Sequence, residues 1–270
     1  GETRSRAIGC AAMLHLLLAT SAFMGARPAL RAPAGLRPCR SAISCHAEMA
    51  GTPAKGFVGT EMRRAAMKLH TRDQSKEGEQ KAQAPVNSWE PGRADYLQFL
   101  VDSREVYACF DELIGGNDVL APFRASGLER TAALEQDIAW FAAEGVPTPA
   151  VGPKGTEYAA LLREMAADGK WEAFVCHFYN FYFAHTAGGI MIGKMMANKL
   201  LDGRTLHFYQ WPAGDVKEEL LPSLRSKIDA MADTWSKEQK DMCLAETAAS
   251  FRYGGGLLGY LKAPPEPAAV

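Results

Sequence analysis

The sequence predicts an all-α protein in which a single multi-helix domain follows an atypical N-terminal segment. Three observations indicate this class. From residue 56 onward, apolar residues recur at spacings of three and four, as they do on one face of a helix. The same region shows no alternation of apolar and polar residues of the kind that marks strands. Clusters of glycine, proline and polar residues divide it into segments of helical length.

The helices are expected in an order that local composition explains. The first is rich in Met, Ala, Lys and Arg, which favour helix, and the polar segment 71–93 that follows reads as a loop. Residues 115–118 (GGND) end the second helix. Prolines in the tail, residues 263–270, cannot continue a helix, so this tail is expected to be disordered. The predicted helices are residues 60–70, 96–114, 128–143, 156–167, 171–201, 217–235 and 236–261.

The first 50 residues differ from the rest in composition. Residues 1–22 place arginines before a short apolar run, as in a secretory signal. Residues 23–50 carry arginines among Ala, Pro and Ser with almost no acid, as in a transit peptide. We therefore expect a disordered bipartite presequence over residues 1–50, of the kind that directs proteins into complex plastids, and a folded domain over residues 51–262. The alternative is a disordered tail without a targeting role.

Composition excludes several classes of protein. The formal net charge is -1, whereas nucleic-acid binders usually carry an excess of clustered Lys and Arg. None of the six cysteines forms a CxxC pair, and three of them precede residue 50. Buried thiols are therefore expected at Cys109, Cys176 and Cys243, rather than a disulfide framework or a zinc site. The longest apolar helix, residues 171–201, contains His, Asn and Lys side chains that argue against a membrane span.

Two features of the sequence could carry chemistry. His70 ends a helix, where an imidazole could bind iron through one nitrogen, although a histidine there is more often structural. Gly188 and Gly189 are adjacent inside the most apolar helix, where each costs about 1 kcal/mol relative to Ala. They could mark a helix boundary, or Gly189 and Gly193 could allow close helix packing. Alternatively, the missing side chains could let the backbone approach a flat ligand and permit a kink.

Together these features resemble plant-type heme oxygenases. Residues 67–74 (MKLHTRDQ) resemble the proximal helix of that family, and residues 174–180 (FVCHFYN), 182–189 (YFAHTAGG) and 191–194 (MIGK) resemble its distal helix. Further matches lie at residues 96–97 (YL), 99–103 (FLVDS), 127–130 (GLER) and 243–247 (CLAET). The resemblance runs in unbroken order over residues 56–261, and it implies the heme oxygenase fold with a kinked distal helix.

The resemblance assigns roles to individual residues. His70 matches the proximal iron ligand, and the pair at Gly188 and Gly189 matches the glycines that crowd the distal face of heme. His185 also falls among the heme-binding positions, where it takes the place of a water-ordering Asp of animal-type enzymes, and its precise role is left open. A second propionate-binding cation of animal enzymes falls on Leu221 here. The other residues that match heme-binding positions are Arg63 and Arg225, which supply cations, Tyr179, which binds a propionate, and Phe251, which forms an aromatic wall.

The resemblance also implies a reaction and its partners. Heme would be both substrate and cofactor, and dioxygen would open it to biliverdin, carbon monoxide and ferrous iron. No Gly-rich dinucleotide fingerprint follows a strand, so electrons must come from another protein, and plastid enzymes of this type use ferredoxin. A basic face near the proximal helix could receive it, or could be an ordinary solvated surface; its residues are Arg63, Arg64, Lys68 and Arg72. The mature protein is expected in the plastid stroma without membrane insertion.

Two alternatives remain open at this stage. A protein of the same fold could bind heme or another tetrapyrrole without turnover, as plant pseudo-enzymes that lack the proximal histidine do. His70 argues for activity. A helical-bundle enzyme acting on another small molecule, such as a thiaminase-like hydrolase, would need a catalytic cysteine or a carboxylate cluster, and neither stands out.

Overall fold

The computed structural model describes residues 56–72, 75–80 and 86–262, and the regular secondary structure of this part is helical apart from one isolated bridge between Thr71 and Gln80. The predicted all-α class is confirmed. The predicted presequence, residues 1–50, and the tail, residues 263–270, lie outside the described residues. The helices are α1 (Arg63–Lys68), α2 (Arg93–Gly116), α3 (Thr131–Ala143), α4 (Pro153–Ala167), α5 (Trp171–Ala184), α6 (Ile190–Leu200), α7 (Leu221–Ala232), α8 (Lys237–Ala245), α9 (Thr247–Leu257) and α10 (Gly259–Lys262).

Three helices are preceded by a turn of π-helix. Val58–Met62 leads into α1, His185–Gly189 joins α5 to α6, and Val216–Leu220 leads into α7. The residues that flank the middle turn, Ala184 and Ile190, have ordinary right-handed helical dihedrals, so α5 and α6 form one uninterrupted helical element. π-Turns inside helices are rare and often occur at functional sites. The kink predicted for this element stays a prediction.

The long helix α2 lies in the middle of the packing arrangement. It contacts α3, α4, α9 and α10 and buries an apolar face that extends from Tyr96 to Ile114. Asp95 accepts a hydrogen bond from the backbone N–H of Gly92 at 2.8 Å, which stabilises the first turn. The same face contains Asp102, a carboxylate with no exposed surface.

Asp102 fixes the start of α4. Its two carboxylate oxygens accept hydrogen bonds from the backbone N–H groups of Gly152 at 2.7 Å and Gly155 at 2.8 Å. These N–H groups belong to the unpaired donors that every helix leaves at its N-terminus. A Cβ at Gly155 would lie 2.9 Å from the Cα of Asp102, so glycine is required for this close approach.

Several boundaries differ from those predicted. Residues 236–261 were expected to form one helix, but it is divided into α8, α9 and α10. The first break falls at Glu246, whose ψ of -6° departs from α-helical geometry and whose carboxylate contacts His177 at 3.1 Å. The 3₁₀ turn Asp118–Phe123 was not predicted at all. Apolar periodicity continues across Glu246, so it could not reveal that break, and the connection after residues 115–118 was expected to be irregular.

Two further features of the described helices are the state of the cysteines and the lengths of the apolar segments. Cys109, Cys176 and Cys243 are free and buried, as expected. No helix among the described residues combines the length and the apolar character needed to cross a bilayer.

Candidate functional site

His70 lies just beyond the end of α1. Leu69 and His70 donate their backbone N–H groups to carbonyls three residues earlier, which tightens the last turn and ends the helix at Lys68. The imidazole Nδ1 is 2.9 Å from the carbonyl oxygen of Ala66. A carbonyl only accepts, so in neutral His70 the proton is on Nδ1 and Nε2 keeps its lone pair. That is the tautomer required for an imidazole that binds a metal through Nε2.

Phe251 joins the His70 region to α5. Its ring lies 5.6 Å from the imidazole of His70 in an edge-to-face arrangement, so α9 packs directly beside the end of α1. One residue earlier, the hydroxyl of Ser250 accepts a hydrogen bond from Asn180 of α5 at 2.9 Å. The predicted ligand, the predicted aromatic wall and the helix of the distal motif are therefore linked by direct contacts.

Tyr179 and Arg225 are paired although 46 residues separate them. Nε of Arg225 donates to the hydroxyl oxygen of Tyr179 at 3.2 Å, and the guanidinium lies 5.3 Å from the ring centre of Phe183. Burial raises the pKa of Tyr179 and the charge of Arg225 opposes the shift, so the phenol keeps its proton. Because this hydroxyl accepts from Arg225, its own proton is available to an anion. The pair is equipped to bind a carboxylate.

The glycines of the distal motif have different surroundings. A Cβ at Gly193 would lie 2.5 Å from the ring of Tyr209, so the absence of a side chain there serves helix packing. A Cβ at Gly189 would lie 3.0 Å from Cδ2 of His185. A Cβ at Gly188 would meet no atom of the described residues within 4 Å. Protein packing therefore explains Gly193 and constrains Gly189, but it does not explain Gly188.

Gly188 lies on an exposed, largely apolar side of the α5–α6 element. Ala184, Ala187 and Met191 are exposed as well, and their spacing places them on the same side of the helix. Small side chains here let a flat ligand approach the backbone closely. Helical segments of this kind are expected where an apolar ligand lies against a helix.

His185 points toward the opposite side, into a packed aromatic layer. Its Nδ1 is 2.8 Å from the hydroxyl of Tyr107, and its ring stacks on Phe208 with 3.9 Å between centres. Burial lowers the pKa of His185 well below its ordinary value, and the charge of Arg130 lowers it further. The imidazole is therefore neutral. Its predicted contribution to heme binding stays a prediction.

Arg63 lies in the first turn of α1, seven residues before His70. Its guanidinium is exposed and is 4.0 Å from the carboxylate of Glu77. Arg64, Lys68 and Arg72 are exposed too, so the predicted basic face is accessible to solvent. A groove of about 430 Å³ separates α1 from the corner between α8 and α9, and both Arg64 and Glu61 line it.

A buried histidine that the sequence did not single out ties α5 to this corner. His177 has no exposed surface, and its Nε2 is 3.1 Å from the carboxylate of Glu246. Its Nδ1 is 3.0 Å from the hydroxyl of Tyr158. Both ring nitrogens are satisfied when Nε2–H donates to Glu246 and Nδ1 accepts from Tyr158. The sequence offered no signal for these partners, which lie 19 and 69 residues away.

The two buried histidines make stability depend on pH. Burial lowers the pKa of His177, although Glu246 opposes the shift, and it lowers the pKa of His185 more strongly. A lowered pKa means that protons bind preferentially to the unfolded chain. The contribution of each neutral histidine to the free energy of unfolding is therefore complete above the pKa of the unfolded chain, about 6.5. It is lost as pH falls below that pKa, at up to about 1.4 kcal/mol per pH unit per group.

Denaturant unfolding between pH 8 and pH 5 tests this dependence. His177→Gln is expected to lower stability at pH 8 but to flatten the decline below pH 6.5, because one titrating group is removed. His207→Gln, a change at an exposed histidine, should leave the decline as it is. This account would be contradicted if the free energy of unfolding fell with pH at the same slope in His177→Gln and in the unaltered chain.

The fold defines a class, that of all-helical proteins with a single packed domain over the described residues, and the comparisons with known proteins assign a family within it. The family model described as heme oxygenase matches residues 58–257. The chain is 46% identical to heme oxygenase 1, chloroplastic, of Oryza sativa subsp. japonica over 222 residues, which is 80% of this chain and 75% of the relative. It is 44% identical to heme oxygenase 1, chloroplastic, of Arabidopsis thaliana over 210 residues, covering 76% and 73% of the two chains.

The chain belongs to the heme oxygenase family, and the predicted resemblance is confirmed. It is a heme oxygenase, the class of enzyme that cleaves heme. Its fold is also similar to that of heme oxygenase-1 from the cyanobacterium Synechocystis sp. PCC6803 in complex with heme. That likeness has a TM-score of 0.53 at 19% identity and covers 77% of this chain and 83% of the other.

Proposed function

We propose that this chain opens heme to biliverdin, carbon monoxide and ferrous iron, with Nε2 of His70 as the protein ligand to iron. The observation that carries this assignment is the hydrogen bond between Nδ1 of His70 and the carbonyl of Ala66, which leaves the lone pair on Nε2. Bound heme supplies the iron that binds dioxygen and the porphyrin that is cleaved. A neutral imidazole gives this iron less electron density than a thiolate would.

The pair formed by Tyr179 and Arg225 sets the orientation of the porphyrin. Arg225 has no carboxylate partner among the described residues, and the Tyr179 hydroxyl has a proton to donate. Both suit a propionate, which accepts hydrogen bonds and carries negative charge. Leu221 stands where animal enzymes have a second cation, so the orientation of the porphyrin depends more strongly on this pair. Arg63 is a further candidate for binding a propionate. The porphyrin edge that faces inward depends on where the propionates are held.

Gly188 and Gly189 form the surface against the distal face of the porphyrin. The missing side chains let the helix backbone approach closely, and the exposed Ala184, Ala187 and Met191 continue an apolar surface. With heme bound, such a surface would leave space for a small ligand beside the porphyrin and would limit the entry of bulk water. Phe251 closes the side next to His70 with its aromatic ring.

Ferredoxin is the proposed electron donor. Four exposed cations lie on or near α1, close in sequence to His70: Arg63, Arg64, Lys68 and Arg72. An acidic electron carrier that docks there would be attracted electrostatically and would approach the proximal side of the heme. Glu61 and Glu79 line the same groove as Arg64 and Lys68, so the surface is basic but not uniformly so.

The plastid is the proposed location, with the stroma as the compartment. The rice and Arabidopsis relatives are named as chloroplastic proteins, and residues 1–50 have the composition of a bipartite presequence. Ferredoxin is available in that compartment, so the location and the proposed donor agree with each other.

A non-catalytic heme-binding role is the alternative. The chain is also 37% identical to probable inactive heme oxygenase 2, chloroplastic, of Oryza sativa subsp. japonica, over 63% of this chain and 51% of the relative. The position that decides between the two roles is 70. A histidine in the ligand tautomer there favours turnover, because iron binding by the protein is the first requirement of the reaction.

Hemin titration followed by turnover tests the proposal. The purified chain with hemin should develop a Soret band, and reduced ferredoxin with dioxygen should then replace that band with a bilin spectrum. A Soret band that never bleaches, with ferredoxin or with ascorbate, would support the non-catalytic alternative. Turnover with ascorbate but none with reduced ferredoxin would support the heme reaction and reject ferredoxin as the donor. Absence of any Soret band would reject the assignment of heme.

A further inference from the structure

The helical element that leads to His70 is joined at its start to α7. This element, which we call the proximal element, extends from Val58 to Lys68, because the π-turn before α1 continues into it with right-handed helical dihedrals at the junction. The backbone N–H of Val58 donates to Oδ1 of Asp229 at 2.8 Å. Between described residues, this is the only hydrogen bond from residues 56–70 to a part of the chain beyond residue 80.

The carboxylate of Asp229 is held in a defined place by this contact. The N–H of Val58 is one of the donors that a helix leaves unpaired in its first turn, and a carboxylate is favoured at the positive end of the helix dipole. Gly56 packs directly on the same carboxylate, because a Cβ at position 56 would overlap it. The carboxylate is therefore enclosed between the backbone of Gly56 and the first N–H of the proximal element.

Asp229 lies on the helix that carries the proposed propionate cation. It follows Arg225 by four residues, so the two side chains project from the same side of α7. Arg225 in turn donates to the hydroxyl of Tyr179 on α5. Burial is the main cause of the raised pKa of Tyr179, and the negative charge of Asp229 adds to it, so this carboxylate is close enough to act on the phenol. The same side of α7 thus bonds both the proximal element and the tyrosine.

We propose that Asp229 is a positioning residue for the heme reaction, because it holds the start of the proximal element on α7 and so fixes where His70 lies relative to Tyr179 and Arg225. A porphyrin that is held at its iron and at its propionates can turn in its own plane only as far as these two groups can move relative to each other. The hydrogen bond from Val58 limits that movement and selects the porphyrin edge that faces the distal helix. This inference rests on the proposed function.

Apolar packing alone does not fix this relative position. Phe57 lies edge to face on Trp235, just beyond α7, with 5.9 Å between ring centres, and both Val58 and Met62 are buried. Such contacts are non-directional and tolerate small shifts along the helix axis, whereas a hydrogen bond to a carboxylate specifies one position. The apolar contacts also keep the proximal element packed when the hydrogen bond is removed, so we expect variants at position 229 to fold.

Three variants separate the hydrogen bond from the charge. Asp229→Ala removes both, and Asp229→Asn removes the charge but keeps an oxygen that can accept from Val58. Gly56→Ala keeps the charge but displaces the carboxylate from the N–H, because the new Cβ would overlap it. Asp229→Ala and Gly56→Ala should therefore behave alike, and Asp229→Asn should resemble the unaltered chain. Asp233→Ala, at the exposed end of the same helix, is the matched control and should change nothing.

The first measurements need no turnover. In the heme-free chain, the amide of Val58 should exchange with solvent deuterium at least about 10-fold faster in Asp229→Ala and Gly56→Ala than in Asp229→Asn. With ferric hemin bound, the Soret band should keep its position in every variant, because His70 is unchanged. Proton NMR spectra of the two variants that lack the hydrogen bond should show additional heme methyl signals. Equal exchange of the Val58 amide in all variants would overturn the proposal.

Analysis of the product decides the positioning role. The unaltered chain should release one main biliverdin isomer, and the share of the other isomers should rise at least about 10-fold in Asp229→Ala and Gly56→Ala. An unchanged share in both, even with a lowered thermal midpoint, would leave Asp229 a structural role alone and overturn the proposal. The same rise in Asp229→Asn would also overturn it, because the charge would then act directly on Tyr179 and Arg225. An unaltered chain that makes no biliverdin would instead reject the proposed function, and the amide exchange and hemin spectra would still decide whether Asp229 fixes the proximal element.

Discussion

His70→Ala is expected to reduce heme conversion at least about 100-fold, because the iron loses its only proposed protein ligand. The imidazole is partly exposed and its Nδ1 bonds only a local carbonyl, so the change should leave folding intact. Imidazole added to the solution can enter the space of the lost ring and bind the iron. Part of the activity should therefore return as imidazole is titrated in, together with a Soret band close to that of the unaltered chain.

The measurement combines turnover with a check of folding. Circular dichroism and the thermal midpoint of His70→Ala should match those of the unaltered chain. His207→Ala, at an exposed histidine in the loop after α6, should retain full activity. Full activity in His70→Ala without imidazole would remove this residue from the mechanism, and loss of activity that imidazole never restores would argue against iron ligation.

Substitution of Gly188 should change stability and activity in opposite directions. A Cβ at this position meets no described atom within 4 Å, so Gly188→Ala should stabilise the protein without heme by about 0.5–1 kcal/mol through helix propensity alone. The same position lies on the helix surface that is proposed to contact the porphyrin. Gly188→Leu should therefore lower heme affinity and turnover at least about 10-fold, because its branched side chain would occupy the place of the ligand.

Two other glycines separate the causes. Gly255→Ala in α9 also meets no described atom, so it should give a similar gain in stability with no loss of turnover. Gly193→Ala should destabilise the protein, since its Cβ would lie 2.5 Å from the ring of Tyr209. Urea unfolding and hemin titration measure the two effects independently. Unchanged heme affinity and turnover in Gly188→Leu would exclude this glycine from the heme surface.

The sequence alone identified the residues of the motifs but not the reason for each. It placed Gly188, Gly189 and Gly193 in one apolar helix and left packing and ligand approach as alternatives for the motif as a whole. The structure separates them, because Tyr209 fills the space beside Gly193 and no described side chain fills that beside Gly188. Spacing cannot make this distinction, since all three glycines have the same local signal.

Contacts between residues that are distant in sequence could not be predicted from the sequence pattern either. The resemblance left the precise role of His185 open, and the structure places its ring against Tyr107, which lies 78 residues earlier, and Phe208. The resemblance named Tyr179 and Arg225 separately, and only the structure shows that they bond to each other. His177 was read as a polar residue of an apolar helix and as part of the distal motif, and only the structure shows that it joins Tyr158 to Glu246.

By itself, the sequence determined the all-helical class, the approximate position of each long helix, the buried thiols and membership of the heme oxygenase family. These properties follow from short-range periodicity, residue propensity and ordered motifs, which a chain carries whether or not it is folded. Only the tertiary structure decided the tautomer geometry at His70, the division of the last helix at Glu246 and the two sides of the distal element. Those features depend on which side chains packing brings within a few ångströms, and a linear order of residues does not specify that.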